Sequence, residues 1–174
     1  FPDTAISESQ GLKIPPVKGR RDLRDHPLVT IDGADARDFD DAVFAEPAEN
    51  GGWRLLIAIA DVSHYVRSDS ALDQEARKRG NSVYLPDRVV PMLPEAISND
   101  LCSLRPHEDR AVMVAEIQID KNGKRLSHHI ERALIRSYAR LTYDQVQAVF
   151  DGVMDEADCD VPHGCLHALF GAWR

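Results

Sequence analysis

Apolar runs along the 174-residue chain predict an antiparallel sheet. Residues 28–31 form a short β-branched run that ends at the Asp32-Gly33 turn signal, as a strand entering a turn does. Residues 42–45 and 53–60 predict two more strands, joined through the turn signal at residues 50–52. Because residues 53–60 are almost entirely apolar, we expect that strand to be central in the sheet.

The second half of the chain adds a hairpin and helices. Residues 111–119 alternate between apolar and polar, and the turn signal at 120–123 leads into a further strand at 125–136. Residues 70–79 have the spacing of a short helix with a serine cap and a glycine stop. Another helix starts at Thr142 and carries an apolar face. These elements sum to an α+β domain with a mainly antiparallel sheet and flanking short helices.

Both ends of the chain depart from this pattern. Residues 1–26 contain three prolines and no sustained periodicity, which predicts a linker or an irregular lead-in arm. Residues 166–174 read like a helix cut in mid-course, and the first residue is Phe1 rather than Met. We therefore expect a fragment, in which residues 27–174 are the N-terminal part of a larger domain.

Composition narrows the class of protein. With 43% hydrophobic residues, the chain is long enough to bury one core. It has no apolar run near the roughly 18 residues that span a bilayer and no charged-then-apolar leader, so we expect a cytoplasmic protein without membrane contact. The odd count of cysteines, Cys102, Cys159 and Cys165, argues against a secreted disulfide framework.

Net charge alone does not decide whether the partner is a nucleic acid. The formal charge of −8 opposes binding to a polyanion, which requires clustered Lys and Arg. The basic residues, however, concentrate in residues 13–24, and the acidic residues in 32–41 and 151–160. A carboxylate cluster beside a basic flank also suits a metal-dependent phosphodiesterase, since the metal supplies positive charge.

The most informative stretch places five aspartates within ten residues, directly after an apolar strand. Such a concentration of like charge is costly unless a cation or hydrogen-bond donors neutralise it. Carboxylate oxygens suit Mg²⁺, which accepts few protein ligands, keeps waters and completes its coordination with substrate phosphate. A solvated surface turn stays open as an alternative. A calcium EF-hand does not fit, because Val43 or Ala34 would occupy positions where the EF-hand requires glycine or a ligand.

The aspartates also carry a family resemblance. Asp32, followed at +6, +8 and +9 by Asp38, Asp40 and Asp41, resembles the four catalytic aspartates of the ribonuclease II and ribonuclease R superfamily. Further blocks resemble the same RNB catalytic domain, and they are closer to the ribonuclease R type than to ribonuclease II. These blocks are residues 57–66, 80–86, 91–94, 98–104 and 139–143.

The resemblance implies hydrolytic 3′→5′ digestion of single-stranded RNA to nucleoside 5′-monophosphates, with Mg²⁺ as cofactor. It implies that the four aspartates hold the metal and orient the attacking water. By the same resemblance Tyr84 packs on the terminal 3′ nucleotide and Tyr143 lies near the scissile end; an aromatic face stacks on any base. The ordinary alternative for each tyrosine is a half-buried core residue.

The resemblance also shows what the chain lacks. The family's later arginine-rich catalytic segment and C-terminal RNA-binding barrel are absent, as are the cold-shock-type barrels from which residues 1–26 would lead in. We therefore expect the chain to be inactive alone, and to self-associate through apolar surface at residues 55–60 and 166–173. The alternative function is a catalytically silent RNA-binding module, although the intact aspartates favour the enzyme.

Three weaker signals have ordinary explanations. His64 follows Asp61 and could serve as a base, but sheet-edge packing or a hydrogen bond to Asp61 is the simpler interpretation. Cys102 lies in an apolar context that favours a packed small hydrophobe over a nucleophile. Four further residues could bind zinc, but their spacing fits no standard finger: Cys159, His163, Cys165 and His167. Two interpretations stay open for them, a structural zinc site and a chance grouping on a surface connection.

Overall fold

The computed structural model describes residues 1–49 and 51–174, which form an α+β domain around a seven-stranded sheet. The strand order is β1-β8-β7-β4-β3-β2-β9, and β5 pairs with β6 in a separate two-stranded hairpin. The strands are β1 (Arg21–Asp22), β2 (Val29–Asp32), β3 (Asp41–Pro47), β4 (Trp53–Ala60), β5 (Val83–Tyr84), β6 (Val89–Val90), β7 (Asp109–Ile119), β8 (Arg125–Arg136) and β9 (Ala139–Thr142).

Short helices flank the sheet, which confirms the predicted fold class. None of the helices in residues 1–49 and 51–174 has the length and apolar character needed to cross a bilayer. A π-helical turn covers Ile97–Leu101 and a 3₁₀ turn covers Glu156–Cys159. The α-helices are α1 (Asp3–Gln10), α2 (Val62–Tyr65), α3 (Ala71–Arg79), α4 (Tyr143–Phe150) and α5 (Cys165–Trp173).

The predicted centre of the sheet is confirmed. Strand β4 lies between β3 and β7 and pairs with both in antiparallel register, and β7 and β8 form the predicted hairpin. Parallel pairing joins β1 to β8 and β2 to β9, so the sheet is mainly but not wholly antiparallel. The turn signal at residues 50–52 includes Asn50, which lies outside the described residues.

Local capping chemistry explains where two helices begin. The side chain of Ser70 accepts a hydrogen bond from the Asp73 backbone N–H, and Gly80 ends α3 with a φ of 78°. Helix α4 begins with a complete capping box between Thr142 and Gln145, because each side chain bonds the other residue's backbone N–H. Both predicted helices are therefore confirmed.

Two hydrophobic clusters lie on opposite faces of the sheet. The larger packs α1, α2, α3 and the segment from Leu93 to Leu104 against inward side chains such as Phe44 and Leu56. The smaller packs α4 and α5 over β2 and β9, with Val29 and Leu166 buried. Since strand side chains alternate between faces, the sheet contributes to both clusters.

The lead-in segment departs from its predicted irregularity. Residues 3–10 form α1, which packs on α3 with Ala5 fully buried, and β1 adds a parallel edge to β8. Arg20 forms a 2.7 Å ion pair with the buried carboxylate of Asp61. Periodicity could not show this, because α1 buries only Ala5 and Ser9 and β1 is two residues long. The origin of residues 1–26 as a linker from a cold-shock-type domain stays a prediction.

The second face of β4 is only partly covered. Its side chains alternate, with Leu56 and Ala58 buried while Ile57 is half-buried and Ile59 is 45% exposed. In α5, Leu166 is buried but Trp173 is exposed. The chain thus presents apolar surface at the places expected from the sequence, and self-association through that surface stays a proposal.

Candidate active site

The four predicted aspartates gather at one edge of the sheet. Strand β2 ends at Asp32 and its antiparallel neighbour β3 begins at Asp41, so the two residues lie at the same edge. The intervening loop of residues 33–40, called here the acidic loop, carries Asp38 and Asp40. A short apolar strand that ends in a turn explains why this sequence folds locally in this way.

Phe39 anchors the acidic loop to the core. Its side chain is buried, its backbone N–H donates to the Ser103 hydroxyl at 3.4 Å, and its carbonyl accepts from the Leu104 N–H at 2.6 Å. Ser103 in turn donates to the carbonyl of Arg37 at 3.0 Å. Buried Phe39 is thus flanked in the sequence by half-buried Asp38 and exposed Asp40.

Burial and mutual repulsion both act on the aspartates. Burial, followed by the nearby charges of Asp38 and Asp32, raises the pKa of Asp40 above its ordinary value. Burial and the charges of Asp40 and Asp32 likewise raise the pKa of Asp41. Across residues 1–49 and 51–174, no Lys, Arg or His forms an ion pair with any of the four. The site therefore carries uncompensated negative charge.

The carboxylates do not form a closed set of metal ligands. No group of three or more His, Cys, Asp or Glu side chains within the described part of the chain is arranged to hold a metal ion. We expect from the family resemblance that all four carboxylates lie within a few ångströms of one another, and this expectation stays a prediction. The donor chemistry nevertheless fits Mg²⁺, which binds through one or two carboxylates and keeps several waters, and whose charge would relieve the repulsion at Asp40 and Asp41.

Tyr84 contacts the acidic loop directly. From β5 its hydroxyl donates a 2.5 Å hydrogen bond to Oδ2 of Asp38. This bond, together with burial of the hydroxyl and the charges of Asp38, Asp40 and Asp32, raises the pKa of Tyr84 to about 12. The side chain is 63% exposed, so its ring is not a core residue and presents a face to solvent. Sequence reasoning named this tyrosine but not its contact with Asp38.

Tyr143 lies next to the same sheet edge without touching the carboxylates through its hydroxyl. Strand β9 pairs Thr142 with Asp32, and Tyr143 follows as the first residue of α4. Its ring is 61% exposed, and no hydrogen bond from its hydroxyl is found among the described residues. The ring borders an open apolar groove, whose other aromatic members are Phe44, Phe150, Phe170 and Trp173.

Arg140 also contacts the acidic loop, and sequence reasoning missed it. Its guanidinium lies 4.3 Å from the centre of the Phe39 ring and donates to the carbonyls of Ala34 at 2.7 Å and Ala36 at 3.2 Å. The available signal was a basic residue inside the block 139–143. Its partners could not be found from the sequence because the two segments are about a hundred residues apart.

Comparisons with known proteins show the family to which the chain belongs. Residues 20–168 match the RNB domain. The chain belongs to the RNB family. Ribonuclease R of Vibrio parahaemolyticus is 63% identical over 134 residues, which make up 77% of this chain and 16% of that protein. Ribonuclease R of Acidithiobacillus ferrooxidans is 57% identical over 156 residues, or 87% of this chain and 35% of that protein.

A solved structure from the same family supports the fold. RNase R of Mycoplasma genitalium in complex with ribose-methylated single-stranded RNA has a TM-score of 0.91 and 34% identity, covering 99% of this chain and 27% of that chain. The resemblance to ribonuclease R and the α+β fold class are thus confirmed. The chain spans only a minor part of the length of these RNB proteins.

The weaker candidates do not add to the acidic sheet edge. Asp61 is buried, and its carboxylate is bound by Arg20, Ser63 and Arg132 rather than by the imidazole of His64. The His64 ring instead stacks edge-on against its neighbour Tyr65. Cys102 is a packed core residue, as predicted, and burial raises the pKa of its thiol to about 12.

The two cysteines of the grouping near the C-terminus serve packing, whereas its two histidines, His163 and His167, are exposed. Cys159 and Cys165 are buried in the smaller cluster, so this segment is not a loose surface connection. No metal-binding arrangement is present among the described residues there. The organising residue is Glu156, which is buried and accepts hydrogen bonds from the backbone N–H groups of Gly164, at 2.6 Å, and Leu166. Such a carboxylate stabilises the N-terminus of α5.

Proposed function

We propose that this chain supplies the metal-binding, acidic part of a hydrolytic 3′→5′ exoribonuclease. The enzyme would act on single-stranded RNA in the cytoplasm and release nucleoside 5′-monophosphates. The observation that carries the proposal is the acidic sheet edge itself, where four aspartates whose spacing resembles the family pattern share one edge and form no ion pair with a basic residue of the described ranges 1–49 and 51–174. The name of the Mycoplasma complex, an RNase R with single-stranded RNA, supports RNA as the ligand.

The proposed roles follow from position. Asp32, Asp38, Asp40 and Asp41 would hold Mg²⁺, two of them from strand ends and two from the acidic loop. When bound, Mg²⁺ would activate a water, neutralise phosphate charge and stabilise the leaving oxygen. The carboxylates would orient that water.

The two exposed tyrosines would serve as stacking surfaces for RNA. Tyr84 stands over the acidic loop and would support the terminal 3′ base, while Tyr143 borders the same edge and would lie near the scissile end. Stacking on an aromatic face is worth about 1–3 kcal/mol per base and does not depend on sequence. The exposure of both rings supports these roles over ordinary core packing.

The isolated chain would not turn over RNA at a useful rate. In-line cleavage requires the phosphate to be held in position and its developing charge to be stabilised by a placed cation. Arg140, a cation in contact with the acidic loop, is committed to backbone carbonyls and the Phe39 ring. We therefore propose that residues outside this chain complete the site.

Metal binding by residues 1–174 tests the proposal. Free Mn²⁺, used in place of Mg²⁺, is followed by electron paramagnetic resonance during titration of the chain. We expect one bound ion, lost in Asp40→Asn and retained in the matched control Asp35→Asn, because Asp35 lies in the same loop outside the family pattern. Equal loss in both variants would indicate diffuse attraction to negative charge rather than a site. RNA binding without specific Mn²⁺ binding would favour the silent RNA-binding module.

A further inference from the structure

We propose that Arg140 is a positioning residue, which fixes the acidic loop in the conformation that presents Asp38 and Asp40. The inference rests on the proposed function, since it assigns a supporting role toward the same metal-binding site. Arg140 itself makes no ion pair with an aspartate in the described part of the chain. It acts on the loop backbone instead.

The contacts of Arg140 restrain the loop at three points. One guanidinium nitrogen donates to the carbonyls of Ala34 and Ala36, and the planar group lies over the ring of Phe39. Ala34 and Ala36 flank Asp35, and Phe39 follows Asp38. The contacts with these three residues therefore set the main-chain path between the aspartates. The backbone carbonyls of this exposed turn would otherwise bond only to water.

The opposite side of the loop is held by a second set of contacts. Ser103 bonds the backbone of Arg37 and Phe39, and the carbonyl of Ser103 accepts from buried Arg110 at 2.8 Å. Phe39 is therefore fixed between a buried network on one side and the Arg140 guanidinium on the other. Removing Arg140 would leave the loop attached by one side only.

The chemistry calls for arginine in particular. A guanidinium is planar and can lie over an aromatic ring while one of its nitrogens donates to two carbonyl oxygens, whereas an ammonium is a compact, strongly hydrated charge. Arg140 projects from β9, whose register pairs it with Thr30 of β2. Sheet hydrogen bonds therefore join β2, which leads into the acidic loop, to β9, which carries Arg140.

The experiment compares Arg140→Met and Arg140→Lys with the matched control Arg136→Met in residues 1–174. Arg136 is an exposed strand arginine that bonds Asp109 and does not contact the acidic loop. Amide hydrogen exchange measures the order of the acidic loop, and Mn²⁺ titration followed by electron paramagnetic resonance measures the metal affinity of the site. We expect Arg140→Met to accelerate exchange in residues 34–40 by about tenfold while β7 and β8 stay within about twofold.

The same variant should weaken Mn²⁺ binding about tenfold, as supporting residues of metal sites do. Arg140→Lys should recover part of both losses, and Arg136→Met should show neither. Unchanged loop exchange in Arg140→Met would overturn the proposal. A uniform rise of amide exchange that includes β7 and β8 would also overturn it, because it would indicate general destabilisation. An Arg140→Met variant whose loop is disordered but binds Mn²⁺ as before would overturn it as well. If the parental chain binds no Mn²⁺, the proposed function fails, while the exchange result still decides whether Arg140 holds the loop.

Discussion

The hydroxyl of Tyr84 donates a 2.5 Å hydrogen bond to Oδ2 of Asp38, across 46 positions of sequence. This bond joins the hairpin of β5 and β6 to the acidic loop. Every residue from Val83 to Val90 is exposed, so little apolar packing holds the hairpin in place. A residue proposed to stack on RNA thus engages a residue proposed to bind metal before either ligand is present.

Tyr84→Phe should loosen the hairpin without removing the stacking face. A hydrogen bond to a charged group contributes about 1.5–3 kcal/mol, and the exposure here reduces that to about 1 kcal/mol. We expect roughly fivefold faster amide exchange at residues 83–90. The control is Tyr138→Phe, an exposed tyrosine whose hydroxyl has no hydrogen bond within the described residues. Equal exchange in the two variants would contradict a role for the bond with Asp38.

Arg20→Met should destabilise the domain through Asp61. The Asp61 side chain is fully buried and also bonds Ser63 and Arg132. Removing one partner of a buried pair usually costs 3–5 kcal/mol, and the remaining partners should limit the loss to about 2 kcal/mol. Urea denaturation measures it, with exposed Lys18→Met as the control on the same segment. Equal stability of the two variants would show that residues 1–26 are not integral to the domain.

Acid should loosen α5 through Glu156. Burial acts to raise the pKa of Glu156, but the N–H groups of Gly164 and Leu166 outweigh it, so the folded pKa lies below the ordinary 4.5. A depressed pKa stabilises the fold above pH 4.5, and that contribution disappears as the pH falls through the folded value. We expect amide exchange in α5, corrected for intrinsic rate, to rise below pH 4.5. Glu156→Gln should abolish this pH dependence; an unchanged profile in the variant would refute the assignment.

Local chemistry made part of this fold predictable. The apolar run of β4, the β7–β8 hairpin and the caps at Ser70 and Thr142 are each encoded in one continuous local segment of the sequence, and all are present in the structure. The structure of residues 1–26 could not be predicted in this way, because β1 depends on pairing with β8, which lies more than a hundred residues away in the sequence.

The candidate site, too, is only partly predictable from the sequence. The spacing of the aspartates was visible in the sequence, whereas the Tyr84–Asp38 bond and the contacts of Arg140 depend on tertiary packing. Glu156 was counted only as one of several acidic residues, since its burial against the N-terminus of α5 has no local signature. The convergence of the four carboxylates on one metal ion stays a prediction, because their spacing in the sequence does not fix the conformation of the loop that carries two of them.

Ile59→Lys should reduce self-association of the isolated chain. Ile59 is exposed on the second face of β4, where it lies between Asp41 of β3 and Met113 of β7. The next row on that face holds Ile57, Ala115 and exposed Ile130. Apolar surface of this kind drives association, and a charge beside it opposes association. Sedimentation velocity should give a dissociation constant for self-association that is at least about tenfold higher for the variant than for the parental chain. Val153→Lys, at an exposed site outside the sheet, is the control; a monomeric parental chain would contradict the proposal.

The central claim is tested most directly by transplanting this chain into a longer relative. The aligned segment of Vibrio parahaemolyticus ribonuclease R, 134 residues at 63% identity, is replaced by the matching part of this chain. A 5′-labelled RNA with a single-stranded 3′ end is then followed in Mg²⁺ for stepwise shortening. The account predicts that the chimera shortens RNA, that Asp40→Asn slows it at least about 100-fold while RNA affinity stays within about threefold, and that Asp35→Asn has little effect. A chimera that degrades RNA equally well with Asp40→Asn would contradict it.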